Sequence, residues 1–286
     1  MTKKIIALVI LIGLAAAGAP AQKKKLKGPE KDAQYEYEKA VISMRYGLED
    51  ESLKYLNQAI ALYPKHADSY KLLGTIQFRK GNYAESVAAF EKYLELKPGD
   101  SEALANKGFA YESLGQTDKA EEEYKKAAAI DGNANACFGL AKLYLAQKRF
   151  PEAEDFALRT VAKNAKSAAA HNLLGVVLNQ MSKFPEAAAS FENALRITPD
   201  DLNVNVNLGV AYINTREFAK AREIYEKVLP RIEDPALKEK VEGYLKLIKE
   251  QLGPSGGEPE SKSGITPAPF LSDPEQRGAR LPWGRC

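Results

Sequence analysis

Two stretches of this chain, "SFENALRITPDD" (Ser190–Asp201) and "AFEKYLELKPGD" (Ala89–Asp100), place an aromatic residue, an acid, a leucine, a proline and a closing aspartate in the same register. They begin 101 residues apart. A single site would not be written twice, so the recurrence points to a repeated structural unit. The register extends through most of the chain. Small residues recur at Ala40, Gly74, Gly108, Ala141, Gly175, Gly209 and Gly243, every 34 residues except one step of 33. Twelve residues after each of the first six comes a second small residue (Ser52, Ser86, Ala120, Ala153, Ala187, Ala221), and four further on a larger series: Leu56, Phe90, Tyr124, Ala157, Phe191 and Tyr225. Pro64, Pro98, Gly132, Ala165 and Pro199 mark the ends of successive units.

Within a unit the apolar residues recur at helical spacing, as in Leu173, Leu174, Val177 and Leu178, then Ala187, Phe191 and Ala194. Each unit therefore predicts a hairpin of two helices. Proline stops the second helix because it lacks an N–H and clashes with the preceding turn. The aspartate after it is placed to cap the next helix. The two small series are expected to meet and let the backbones approach, with the aromatic filling space between neighbouring hairpins.

This pattern resembles the tetratricopeptide repeat (TPR) family. "LLGTIQ", "LLGVVL" and "NLGVAY" match the first half of that family's motif, and "ESVAAFEKYLELKP", "KAEEEYKKAAAID" and "EAAASFENALRITP" match the second. The fourth unit departs from it, with Ala141, Ala157 and Ala165 where glycine, an aromatic and proline are usual, and the first unit has Leu56 and Ser43. The resemblance implies an all-α, right-handed superhelical solenoid. Six repeats are expected, at 33–66, 67–100, 101–133, 134–167, 168–201 and 202–235, with a capping helix at 236–252.

The chain has 286 residues, and both ends differ from this middle. Lys3 and Lys4 precede an unbroken apolar run, Ile5–Ala17, and an Ala19-Pro20-Ala21 site, the layout of a cleaved secretory signal covering 1–21. The run is shorter than the roughly 20 residues of a spanning helix, although a retained inner-membrane anchor is the alternative. Cleavage would remove two lysines and no acid, so the formal charge of +3 becomes +1. A near-neutral chain is a poor match for nucleic acid. Residues 22–32 read as a basic linker around "KKKLKG", and 253–286 as a disordered tail rich in Gly, Pro and Ser. Membrane contact is expected only if the signal segment is retained. Cys137 reads as a small buried apolar residue.

No metal-binding, phosphate-binding or nucleophile motif occurs, and neither His66 nor His171 has a companion that suggests catalysis or a metal. No cofactor is expected. The resemblance instead implies a partner-binding groove lined by the first helix of each hairpin. Carried over by position, its residues are Lys71, Thr75, Phe78, Arg79, Asn106, Phe109, Lys142, Leu145, Asn172, Val176, Asn179, Asn207, Val210, Ile213 and Asn214. Apolar members would grip side-chain anchors, and the amides could serve the N–H and C=O groups of an extended peptide. The alternative reading is that the apolar members only pack against the next first helix. The expected function is a non-catalytic scaffold outside the cytoplasm, secreted or periplasmic, binding protein partners during envelope assembly: pilus, secretion or polysaccharide export. A structural spacer acting through its convex face or tail is the alternative.

Overall fold

The computed structural model describes residues 28–252, so the expected signal and tail lie outside the described residues. Among the described residues the regular structure is helical: α1 (Pro29–Arg45), α2 (Glu49–Leu62), α3 (Ala67–Arg79), α4 (Tyr83–Leu96), α5 (Ser101–Ser113), α6 (Thr117–Asp131), α7 (Ala134–Ala146), α8 (Phe150–Lys163), α9 (Ala168–Gln180), α10 (Phe184–Ile197), α11 (Leu202–Asn214), α12 (Phe218–Val228), a short 3-10 turn (Leu229–Arg231) and α13 (Pro235–Leu252). These helices fall into two compact units, one ending at Ala136 and the other starting at Cys137, with the boundary inside α7. In the N-terminal unit α1 packs on α2, α3 on α4 and α5 on α6, while α2–α3 and α4–α5 contacts join the hairpins. In the C-terminal unit α9 packs on α10 and α11 on α12, with α8 against α9, α10 against α11 and α12 against α13.

The turns follow from local chemistry. α4 and α10 end at Leu96 and Ile197, two residues before Pro98 and Pro199. The aspartates that close the two quoted stretches cap the following helices: Asp100 accepts from the Ala103 N–H at 2.9 Å and Asp201 from the Val204 N–H at 3.1 Å. Ser167 does the same for Ala170 at 3.2 Å.

Inside each hairpin one contact sets how closely the helices approach. A methyl group added at Gly74, Gly108, Gly175 or Gly209 would lie 3.0, 2.6, 2.6 or 2.5 Å from the ring of Phe90, Tyr124, Phe191 or Tyr225. Each ring is fully buried on the glycine of its own hairpin. The same ring also fills space between hairpins as expected: Phe90 packs with Ala103 of α5, and Tyr225 stacks on Tyr244 of α13. Within its own hairpin the ring occupies the volume that the glycine leaves, sixteen residues earlier in the chain. Where the larger partner is Leu56, the small residue is Ala40, so these two positions compensate in volume, whereas the Ala141 and Ala157 pair is small at both positions. The second small series also takes part. The Ser52 hydroxyl donates to the Ala40 carbonyl at 2.9 Å, and Ser86 donates to Gly74 at 2.8 Å.

α13 keeps the register through Gly243 but has open space there, with nothing within 4 Å of an added methyl. It buries Val241, Tyr244, Ile248 and Leu252 on one side, and Tyr244 stacks on Tyr225 at 5.5 Å. Glu239 and Lys246, at the positions flanking Gly243, are exposed.

One further position separates the two units. The residue that turns each first helix into its second is left-handed throughout: Gly47, Gly81 and Gly115 in the N-terminal unit, but Lys148, Ser182 and Arg216 (φ 59, 58 and 64°) in the C-terminal unit. A side chain there costs about 1–2 kcal/mol that glycine does not incur.

Two stability predictions follow from these positions. Gly175→Ala and Gly209→Ala should each cost about 1–3 kcal/mol through overpacking. Gly243→Ala should instead stabilise by up to about 1 kcal/mol, because a helix-interior glycine with open space gains only helix propensity. Chemical denaturation of the three variants checks the opposite signs. In the same assay Lys148→Gly and Ser182→Gly should each gain about 0.5–1 kcal/mol, the relief of strain less the extra entropy of glycine in the unfolded chain.

Candidate first-helix binding face

Successive first helices are neighbours within each unit, α3 beside α5 and α9 beside α11. The residues assigned to a groove therefore cluster in two sets, and each set is described by itself.

In the N-terminal unit the cations are already engaged. Lys71 on α3 donates to Asp100 at 3.0 Å and to Glu102 at 2.6 Å. Burial opposes its charge, but those two hydrogen bonds outweigh it and hold the ammonium above its ordinary pKa. Arg79 pairs with Glu49 at 2.8 Å. The Thr75 hydroxyl donates to the Lys71 carbonyl at 2.9 Å, and Phe78 lies half-buried against Tyr83, 5.3 Å between ring centroids. Asn106 and Phe109 on α5 are buried, and Phe109 makes an edge contact with Tyr124 at 5.1 Å. Phe109 thus packs within the core.

In the C-terminal unit Lys142, Leu145, Val176 and Asn214 are half-buried and reachable. Val210 and Ile213 are not: at 0% and 1% exposure they belong to the core, because α11 is enclosed along nearly its whole length. Asn172 and Asn179 on α9 and Asn207 on α11 are buried, and the Oδ1 of each lacks a partner among the described residues. A buried amide oxygen left unpaired costs about 1–3 kcal/mol, so each of these sites favours a donor from water or from a ligand.

Several polar partners were not foreseen. Tyr93 donates to Asp100 at 2.5 Å, making that carboxylate the hub of a network that includes Lys71 and the start of α5. Tyr111 donates to Glu91 at 3.1 Å, and Tyr212 donates to Glu192 at 2.5 Å. Both pairs span 20 residues, so the recurrence was available in the sequence as a tyrosine and a glutamate at fixed register. His66, by contrast, is a packed histidine. Its Nδ1 lies 2.8 Å from the Ser69 hydroxyl and its Nε2 lies 3.0 Å from Gln34 Oε1, and burial lowers its pKa.

Comparison with known proteins agrees with this geometry. Two tetratricopeptide repeat models match residues 50–101 and 78–133, and a model of the tetratricopeptide repeat protein 21 C-terminal ARM domain matches 110–241. The chain belongs to the tetratricopeptide repeat family. Among curated relatives it is 29% identical over 163 residues to the type IV pilus assembly protein PilF of Pseudomonas aeruginosa, covering 56% of this chain and 64% of that one. It is 28% identical over 170 residues to anaphase-promoting complex subunit 3 of Schizosaccharomyces pombe, covering 58% of this chain but only 25% of that protein. A tetratricopeptide repeat protein from Parabacteroides merdae shares the fold, with a TM-score of 0.60 at 22% identity over 76% of this chain and 86% of that one.

Asp100 is the polar residue on which most of this face depends, and its removal is a direct test. Asp100→Ala should cost about 1–2 kcal/mol, more than Asp201→Ala, which loses a cap alone. Burial works against the Asp100 charge, but hydrogen bonds from Tyr93, the Ala103 N–H and Lys71 hold its carboxyl below the ordinary value of 3.8. A carboxylate with a depressed folded pKa stabilises fully above its unfolded value, and that stabilisation is lost as pH falls through the folded value. Asp100→Asn keeps a capping side chain and lacks this dependence. The melting-temperature gap between wild type and Asp100→Asn should therefore narrow from about pH 5 to about pH 2.

Proposed function

We propose that this protein is a non-catalytic scaffold exported from the cytoplasm, and that it holds a segment of an envelope-assembly partner on the first-helix face of its C-terminal unit. The observation that carries this reading is the set of buried, unpaired amide oxygens at Asn172, Asn179 and Asn207. The half-buried Val176 lies on the same helix as the first two. Unpaired acceptors favour the N–H groups of an extended backbone, and an aliphatic side chain between them favours an apolar anchor. The N-terminal unit is less suited to this task because Lys71 and Arg79 are held in ion pairs.

The envelope setting is supported by the basic head and apolar run at residues 3–17 and by the similarity to PilF. Among the described residues no helix is long and apolar enough to cross a membrane. Pilus assembly is the process that this relative favours.

A library of displayed peptides selected on the full chain tests the reading. Selected peptides should bind wild type and weaken at least tenfold on Val176→Glu and on the double variant Asn172→Ala/Asn207→Ala, with both variants still cooperatively folded. Unchanged affinity in folded variants would overturn the groove. A photo-crosslinker at position 176 in living cells should capture an envelope protein, and capture of cytoplasmic proteins alone would overturn the exported role.

A further inference from the structure

His66, Asp100, Asn133, Ser167 and Asp201 hold one register position, immediately before successive first helices. All but His66 cap the helix that follows. Asp100 accepts from the Ala103 N–H, Asn133 from Ala136, Ser167 from Ala170 and Asp201 from Val204. The His66 side chain makes no cap bond to the α3 backbone. It ties the first hairpin to the second instead, through both ring nitrogens.

The surroundings of the ring settle where its hydrogen sits. His66 and Ser69 are buried, and the Tyr37 ring of α1 lies 5.2 Å from the imidazole. From the turn after α2, the Tyr63 carbonyl accepts the His66 backbone N–H at 2.9 Å. Gln34 on α1 donates through Nε2 to Glu38 at 3.0 Å, so the Oε1 that faces His66 can only accept. The neutral imidazole therefore carries its hydrogen on Nε2, and its Nδ1 accepts from the Ser69 hydroxyl on α3. A second proton has to enter at Nδ1. It takes from the buried Ser69 hydroxyl the acceptor it now uses, and it places a cation largely out of water. That cation also sits at the N-terminus of α3, where the helix dipole opposes positive charge. Asp68 on α3 and Glu30 on α1 favour the charged ring, but burial outweighs them and lowers its pKa.

We propose that His66 is an acid-sensitive latch between the first and second hairpins. Neutral, it holds α1 on the start of α3. Protonated, it lets the first hairpin open from the rest of the N-terminal unit. A terminal hairpin of a repeat stack contacts a neighbour on one side, so its opening breaks a single interface. The far end of that interface is held by charge, Arg79 to Glu49 at 2.8 Å and Lys80 to Asp50 at 2.7 Å. Between the two ends lies an apolar cluster of Ala40, Leu56 and Ile76, with Leu72 and Leu73 packed against it. Opening uncovers Leu72, Leu73 and Ile76 of α3, so the latch couples pH to an apolar surface. The direction follows from linkage. A histidine whose folded pKa lies below its ordinary 6.5 stabilises fully above that value, and the stabilisation is lost as pH falls through the folded value.

Native-state hydrogen exchange on the full chain, corrected for the intrinsic effect of pH on exchange, tests the latch. From about pH 7.5 to about pH 5.5, protection of α1 and α2 should fall by about threefold or more, while that of α5 and α6 holds. His66→Asn, which installs the cap residue used at Asn133, should flatten this dependence. Gln34→Glu sets a carboxylate against Nε2 and favours the protonated ring, so it should flatten or reverse it. Equal acid loss in wild type and His66→Asn would overturn the proposal. So would no loss in wild type, or a loss spread evenly over α1, α2, α5 and α6. If His66→Asn has already opened the first hairpin at about pH 7.5, Gln34→Glu decides, and an acid loss that it leaves unchanged would overturn the latch.

Discussion

The structure depends on the contact between a glycine in each first helix and an aromatic ring in the second. Phe191 lies on the backbone of Gly175 at a distance no other residue type at 175 would permit, and Tyr225 lies on Gly209 in the same way. Two helices brought that close bury the ring completely, which removes its apolar surface from water at roughly 25 cal/mol per Å². The hairpin then behaves as a rigid piece with a fixed outer surface, and the next hairpin can be added at the same register. The first hairpin keeps the summed volume, with Ala40 in place of glycine where Leu56 replaces the ring.

The fold was legible because this constraint has a period. Thirty-four residues return every chemical requirement to the same place, so glycine, aromatic, proline and aspartate recur together. What spacing alone does not specify is that the ring also lies on the glycine of its own hairpin. The binding face was less legible for a related reason. Val176 and Val210 hold the same register position on α9 and α11, yet one is half-buried and the other wholly buried. Their difference comes from what surrounds each helix, and one strand of periodic sequence carries no record of that. Lys71 is a similar case. Its charge was plain, but its two carboxylate partners come from the next hairpin, 29 and 31 residues on.

Both units pair opposite charges between hairpins, and both bury polar atoms that lack a partner among the described residues. The N-terminal unit pairs Lys71 with Asp100 and Lys107 with Glu91, and the C-terminal unit pairs Lys183 with Glu154. The C-terminal unit places neutral amides at Asn172, Asn179 and Asn207, which bury without the cost of an ion but leave acceptors unpaired. It also accepts left-handed side chains at Lys148, Ser182 and Arg216, where the N-terminal unit has glycine.

The two terminal helices answer the same problem in opposite ways. A repeat that stops must expose the face on which the next helix would have packed. α13 answers with charge: Glu239 and Lys246 flank Gly243, and the position where a ring would sit is left to solvent. α1 keeps aromatic residues on its open side and holds Lys39 among the rings of Tyr35 and Tyr55. A purely terminating surface gains nothing from Tyr35 at a position that is otherwise serine or alanine in this unit. A tyrosine there exposes a large apolar body whose burial is favourable only when something covers it. The first and last described helices thus present different outer surfaces, aromatic on α1 and charged on α13.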